Sequence, residues 1–183
     1  MSQAPANRTK TESELVSTLE THVYRSETPF TPGLLASTMI YDDIEESDAT
    51  SPEALREEYV ADLAAIVEAR GVESVADESS VDPAVIEALA AEETGVADEL
   101  TLEDAAAVSA LADDAPPADA IVAEIRDTLL MGMTTAVLDV DTIAAEIDAD
   151  MDGKQVHQKV EGRSPMTLAE YATLHHFIAS RQR

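Results

Sequence analysis

Apolar side chains recur at intervals of three and four residues along most of the chain, and no stretch alternates apolar and polar positions with a period of two. This spacing aligns side chains on one face of an α-helix, so the sequence predicts an all-α protein, a compact multi-helix bundle. Changes in the pattern divide the chain into a flexible tail (residues 1–10), N-terminal helices (11–71), a set of short helices (72–114) and a longer helix followed by further short ones (118–183).

Three N-terminal helices are predicted before residue 72. Thr11 and Glu14 have the spacing of a capping box, which starts the first helix. A turn at residues 29–32, with a threonine before its last proline, starts the second helix. Ser51 starts the third, an amphipathic helix that Gly71 ends.

The most apolar part of the chain lies between residues 118 and 138. Ile121, Ile125 and Leu129 fall on one face of a predicted helix, which continues into the apolar run at residues 129–138. A helix that is apolar all round is normally buried. We therefore expect this segment, about 118–138, to be a buried central helix. Its longest nearly apolar run is ten residues, too short to cross a bilayer, so no membrane association is expected.

Two segments repeat the same order of apolar and capping positions. The first has Val81 and Ile86 five residues apart, and the second has Met151 and Val156 five apart. Each segment then shows an aspartate placed to cap the next helix and a Thr-Leu pair that starts a closing helix: Asp82 with Thr101-Leu102, and Asp152 with Thr167-Leu168. The sequence therefore predicts two repeats, one over 72–114 and one within 118–183.

These repeats resemble the Cro/repressor type of helix-turn-helix, over roughly residues 72–111 and 138–178. The second copy is also similar to the antitoxin-like branch of that family, which has a Gly-Arg-x-Pro-x-Thr turn, here Gly162-Arg163-Ser164-Pro165-Met166-Thr167. Both copies depart from the family pattern, because Ser80 and Asp150 stand where a turn glycine is usual. The whole chain is also similar to small acidic proteins of extreme halophiles that have no assigned function.

The resemblance implies that the second helix of a copy enters the major groove of double-stranded DNA. In the downstream copy that helix would begin at Gly153, with Val156 and Val160 facing the core. Glutamine pairs with adenine, and lysine and arginine reach guanine or phosphate, so the outward residues are of the types that read DNA. The candidate nucleic-acid-binding residues are Lys154, Gln155, His157, Gln158, Lys159 and Arg163. The upstream helix offers phosphate no donor and is interpreted as scaffold.

The charge of the chain is strongly negative and unevenly distributed. The net charge is −27, from 38 acidic and 11 basic residues, yet 45% of the residues are hydrophobic, which indicates a folded protein. At molar salt the Debye length is about 3 Å, so a dense carboxylate surface repels itself little. We therefore expect a protein adapted to a salt-rich cytoplasm. Residues 153–183 carry a net charge of +3, which leaves −30 for the rest. This basic end either binds nucleic acid or docks onto the protein's own acidic body.

Other chemistry has little support in the sequence. The absence of cysteine excludes disulfides and thiolate zinc sites. Residues 148–153 open like an EF-hand loop, but Lys159 stands where that loop needs a bidentate glutamate. The adjacent His175 and His176 would point in different directions on a helix. We expect no metal, cofactor or small-molecule substrate, and no enzymatic activity. The polar N-terminus lacks the apolar core of a signal peptide, which predicts a cytoplasmic location.

Two functional hypotheses follow. In the first, the chain binds nucleic acid, namely double-stranded DNA, for example as a transcriptional regulator. In the second, a degenerate helix-turn-helix fold has lost DNA binding and serves as a protein–protein interaction or structural module, with a protein partner or as a homodimer. Exposure of Arg163 beside Lys154 and Gln158 would favour the first, and its pairing with Glu170 or the acidic body would favour the second.

Overall fold

The described part of the chain folds entirely into helices and loops. The computed structural model describes Ile40 and residues 51–93, 95–147 and 149–182. Within these ranges there are nine helices and no strand, which confirms the all-α prediction. The helices are α1 (Pro52–Arg70), α2 (Val72–Ser79), α3 (Pro83–Ala90), α4 (Val96–Glu99), α5 (Leu102–Ser109), α6 (Ala118–Thr135), α7 (Val140–Glu146), α8 (Gly153–Val160) and α9 (Leu168–Arg181). The predicted tail, the capping box at Thr11 and the helices before residue 50 lie outside the described residues.

Helix starts follow the capping residues found in the sequence. The Ser51 side chain accepts a hydrogen bond from the Ala54 N–H (3.2 Å), and α1 ends at Gly71 with φ +88°. Asp82 and Asp152 cap α3 and α8 through their carboxylates. Capping matters because the first N–H groups of a helix have no partner within it. The predicted positions of all three helix starts are therefore confirmed.

The centre of the described core is formed by α1 and α9, which pack most extensively against each other. Tyr59 of α1 and Tyr171 of α9 are both fully buried, and their rings stack with centroids 5.5 Å apart. The Tyr171 hydroxyl also donates to the Ile40 carbonyl (2.8 Å). The closing helix of the second repeat thus lies in the interior, in contact with α1, α4, α5 and α6.

Helix α6 differs from the expectation of a helix buried on all sides. Its buried stripe contains Ile121, Ile125 and Leu129. The helix as a whole packs against α5, α9 and α8. The helix ends at Thr135, and the apolar run continues on its solvent side. Leu130 is 43% exposed, Met131 69% and Val137 90%. The prediction of burial on all sides was wrong, because an unbroken apolar run does not reveal whether neighbouring helices cover one face of a helix or all of its faces.

The two repeats meet at equivalent positions. The Leu102 N–H donates to the Met166 carbonyl (2.8 Å), and the Leu168 N–H donates to the Leu100 carbonyl (2.9 Å), so that Thr101 and Thr167 form an antiparallel bridge. Leu100 and Leu102 hold the same places in the first repeat as Met166 and Leu168 in the second. Exchanging the repeats reproduces the same pair of hydrogen bonds, so the internal similarity corresponds to a local pseudo-two-fold relation.

The second helix of each repeat also ends in the same way. Both α3 and α8 have eight residues, and a left-handed residue follows one position after the C-cap: Glu92 (φ +49°) and Gly162 (φ +70°). Behind it, the Glu93 N–H donates to the Ala88 carbonyl (3.0 Å) and the Arg163 N–H to the Gln158 carbonyl (2.7 Å). These six-to-one bonds define Schellman caps. The first repeat differs by the insertion of α4 between this cap and Thr101.

No single helix of the described ranges is long and apolar enough to cross a membrane, although α6 and α7, bent by 90° at their junction, meet that test when taken together.

Candidate functional site

Helix α8 has the orientation that the sequence predicts. It begins at Gly153, and Val156 and Val160 are buried. The Asp152 carboxylate accepts from the Gln155 N–H (2.8 Å), and the Gln155 side-chain oxygen accepts from the Asp152 N–H (2.8 Å). Gln155 is exposed. Its side-chain oxygen accepts the hydrogen bond of this capping box, so its NH₂ group is the part left for outside contacts.

Lys159 does not face outward as expected. Its side chain is only 13% exposed, and its ammonium group lies 2.7 Å from Glu170 Oε2 and 2.7 Å from the Pro165 carbonyl. The same Glu170 oxygen accepts from the Thr167 N–H (2.9 Å) at the start of α9. Lys159 therefore joins the end of α8 to the start of α9. The spacing of a helix alone does not show that the next turn folds back over a side chain.

Arg163 is exposed and locally paired. Its side chain is 58% exposed and forms an ion pair with Glu161, whose carboxylate also lies 3.2 Å from His157 Nε2. Exposed ion pairs of this kind contribute about 0–1 kcal/mol, so Arg163 can exchange Glu161 for another anion. Its partner is Glu161 of its own turn rather than Glu170, the pairing that the sequence had offered as the sign of a scaffold.

Most of the positive charge near the C-terminus is neutralised by neighbouring carboxylates. Arg181 of α9 pairs with Glu146 of α7, in addition to the pairs of Lys159 and Arg163. Lys154 is exposed and has no ion pair with any other described residue, while Gln158 is partly buried. The sequence-predicted residues therefore lie together on one helix and its following turn, but Lys154 supplies their only uncompensated charge within the described ranges.

A second surface, which sequence reasoning missed, lies at the C-terminal end of α6. We call it the α6 tip and define it as Leu130, Met131 and Val137. Leu130 and Met131 fall outside the buried stripe formed by Ile121, Ile125 and Leu129, and this departure from the helical period was the signal in the sequence. Thr134, one turn after Leu130, is also exposed.

The α6 tip includes a strained residue. The Leu138 N–H donates to the Met133 carbonyl (2.9 Å) and the Val137 N–H to the Thr134 carbonyl (3.2 Å), which is again a Schellman cap. Val137 occupies its left-handed position with φ +55°. Glycine is usual there, and a β-branched residue with positive φ is an outlier.

Within the described ranges, no group of three or more His, Asp or Glu side chains is arranged to hold a metal ion. Asp148, the first position of the EF-hand-like sequence, lies outside those ranges. Asp152 and Gln155 of the same sequence serve as capping groups.

His175 is a buried structural residue. Its Nδ1 is hydrogen-bonded to the Tyr59 hydroxyl, and its ring lies against the rings of Tyr59 and Tyr171. Its Nε2 is buried and has no hydrogen-bond partner among the described residues. Burial disfavours the charged imidazolium and, with a smaller contribution from His176, lowers the pKa of His175 from 6.5 to about 4. The ring is therefore neutral at pH 7.

Comparison with known proteins identifies a family. Residues 55–181 match the sequence model of a family described as "Family of unknown function (DUF5791)". The match covers more than half of the chain, so the protein belongs to this family. The searches of curated proteins and of solved structures gave no match.

Proposed function

We propose that this member of a family of unknown function is a protein-interaction module without catalytic activity, and that the α6 tip is its binding surface. The observation that carries the proposal is Val137, which is 90% exposed and has φ +55°. A left-handed conformation costs a residue with a Cβ about 1–2 kcal/mol. Glycine would form the same cap without that cost, so the valine side chain gives the free protein no visible advantage.

Burial against a partner would offset this cost. A fully buried valine contributes about 1.5–3 kcal/mol relative to an exposed one, which equals or exceeds the strain of about 1–2 kcal/mol in the left-handed backbone. Met131 and Leu130 would add to the same buried surface. Backbone strain that persists in a native structure often marks a functional position, and here the strained residue is itself an exposed apolar one.

The electrostatics of α8 support the same interpretation. Binding to nucleic acid depends on cations that neutralise phosphates. Lys159 and Arg181 are held by carboxylates of the protein, and Arg163 shares Glu161 with His157. Within the described residues Lys154 has no ion pair, and Arg163 has to give up Glu161 before it can meet a phosphate. On a chain of net charge −27, this is a weak phosphate-binding surface.

The test is photo-crosslinking in cells of the source organism. A photoreactive phenylalanine analogue is placed at Met131 in the full chain or, as a control, at the exposed Glu68 of α1. We expect protease-sensitive adducts at position 131 and none at position 68. Val137→Asn should reduce the adducts without lowering the melting temperature, because asparagine tolerates a left-handed conformation. An absence of adducts at position 131, or the same adducts at both positions, would contradict the proposal.

Nucleic-acid binding by α8 is a second candidate, favoured by the exposure of Lys154 and Arg163 on one helix and its turn. Its test is binding of the protein to fragmented DNA from its own source in molar potassium salt. Lys154→Glu should abolish this binding, and Ala65→Glu on α1 should not. Lys159 is left unchanged because its substitution would break the pair with Glu170. Failure of the wild-type protein to bind would exclude this candidate under these conditions.

A further inference from the structure

We propose that the partner of the α6 tip is a basic amphipathic segment, a peptide with apolar residues on one face and lysine or arginine beside them. This inference rests on the proposed interaction function and adds the chemistry of the partner. It follows from the groups that surround the apolar residues on the surface.

Carboxylates flank the α6 tip at both of its ends. Asp127 is exposed and precedes Leu130 by one turn of the helix. Asp139 and Asp141 are exposed and follow Val137 at the start of α7. None of these three carboxylates has an ion pair within the part of the chain that the structure describes. They differ in this from Glu146, Glu161 and Glu170, which are paired with arginine or lysine.

The helix itself adds to the negative potential. The C-terminal end of a helix carries a partial negative charge, and basic residues in the last turn normally compensate it. The last turn of α6 contains no basic residue. Arg126, on the same helix, points away to Glu103 of α5 (2.6 Å). A cation on the partner would therefore meet carboxylates that have no ion pair and a helix C-terminus that has no basic residue, although Asp139 also accepts a hydrogen bond from the Thr142 N–H (2.7 Å) at the start of α7.

This charge distribution distinguishes between classes of partner. A second copy of the chain would bring carboxylates against carboxylates if the same surface met itself, and nucleic acid would bring phosphates against them; like charges in contact are unfavourable. A segment with lysine or arginine beside its apolar residues complements both parts of the surface. The flexible side chain of Met131 suits such a contact, because methionine adapts its shape to different apolar groups.

The experiment measures binding of a labelled 16-residue probe peptide, with leucine on one helical face and lysine on the other, by fluorescence anisotropy at moderate and at molar salt. A peptide with glutamate in place of lysine is the charge control. The full chain is compared with Met131→Gln and with the pair Asp127→Asn and Asp139→Asn. Asparagine retains the helix-capping ability of Asp139. The pair Glu58→Gln and Glu68→Gln removes the same charge from the exposed face of α1.

We expect Met131→Gln and the aspartate pair each to weaken binding of the basic peptide about tenfold. The aspartate pair should also reduce the dependence of binding on salt. The glutamate pair should change affinity about twofold or less. Equal loss in the two pairs, or equal affinity for the glutamate peptide, would overturn the inference. Protein adducts at position 131 together with such a result would leave the interaction function standing and reject only the basic partner. Concentration-dependent dimerisation that Met131→Gln abolishes would instead identify a second copy.

Discussion

Acidification to pH 5 should destabilise the protein through one buried group, His175. The folded state holds this ring neutral, because burial lowers its pKa to about 4 from an ordinary value of 6.5. The unfolded chain therefore binds a proton that the folded protein does not bind between these two pH values. The contribution of the neutral His175 ring to the free energy of unfolding is fully present above pH 6.5, and it is lost as the pH falls from 6.5 through 4.

The size of the effect follows from the two pKa values. One unit of difference corresponds to about 1.4 kcal/mol, so the full effect is roughly 3 kcal/mol. Between about pH 7 and pH 5, the expected loss in the free energy of unfolding is roughly 2 kcal/mol. Three carboxylates have lowered pKa values and contribute little in this window. The pKa values of Glu53, Glu78 and Asp139 are lowered from already acidic values, mainly by hydrogen bonds to each carboxylate, so these groups titrate below it.

The assay is urea unfolding at a series of pH values and constant high ionic strength. His175→Phe removes the titrating group and costs about 1 kcal/mol through loss of the hydrogen bond with Tyr59, but it should flatten the pH dependence between pH 7 and 5. His157→Gln, at an exposed histidine, is the control substitution. Parallel curves for the wild type and His175→Phe would refute the assignment of this slope to His175.

Three further predictions concern stability. Val137→Gly should raise the free energy of unfolding by about 1 kcal/mol by relieving the left-handed valine. Gly162→Ala should lower it by more than about 1 kcal/mol, because φ is +70° and a Cβ would lie 2.6 Å from Arg126 Cζ. In urea titrations, a lower stability of Val137→Gly or a higher stability of Gly162→Ala would contradict the respective prediction. Lys159→Glu should destabilise by at least about 1 kcal/mol by opposing Glu170, and Lys154→Glu should change stability by less than about 0.5 kcal/mol. If the protein is adapted to salt, its thermal midpoint should rise steadily between about 0.2 and 2 M KCl, and a flat response would reject that adaptation.

The sequence predicted local structure well where a side chain acts on its own backbone. Asp82, Asp152 and Thr167 were identified as helix starts because capping requires a short polar side chain next to the first turn, a condition that is complete within a few residues. The equivalence of the repeats was visible for the same reason. The hydrogen-bonded pairing of the repeats at Thr101 and Thr167 could not be predicted, because it joins residues far apart in the chain.

Positions that depend on tertiary contacts were predicted less well. Helical spacing predicts that Lys159 points outward, but the turn at residues 161–167 brings Glu170 against its side chain. The apolar run after Leu129 reads as buried, but α5 and α9 cover only one face of α6. In both cases the helical pattern was interpreted correctly. The error arose because the sequence of one helix does not show which other segments pack against it.

The relation between the repeats also bears on where function resides. Arg126 connects them, since its guanidinium lies against Gly162 of the second repeat and donates to Glu103 of the first. Helix α6 therefore packs between two similar units through its buried face and through Arg126. Features that the repeats share, namely the capping aspartates, the Schellman ends and the threonine bridge, are explained by folding alone. The α6 tip has no counterpart in that shared pattern, it carries backbone strain, and its apolar side chains are exposed to solvent. A surface that folding does not require is the place where binding is best sought.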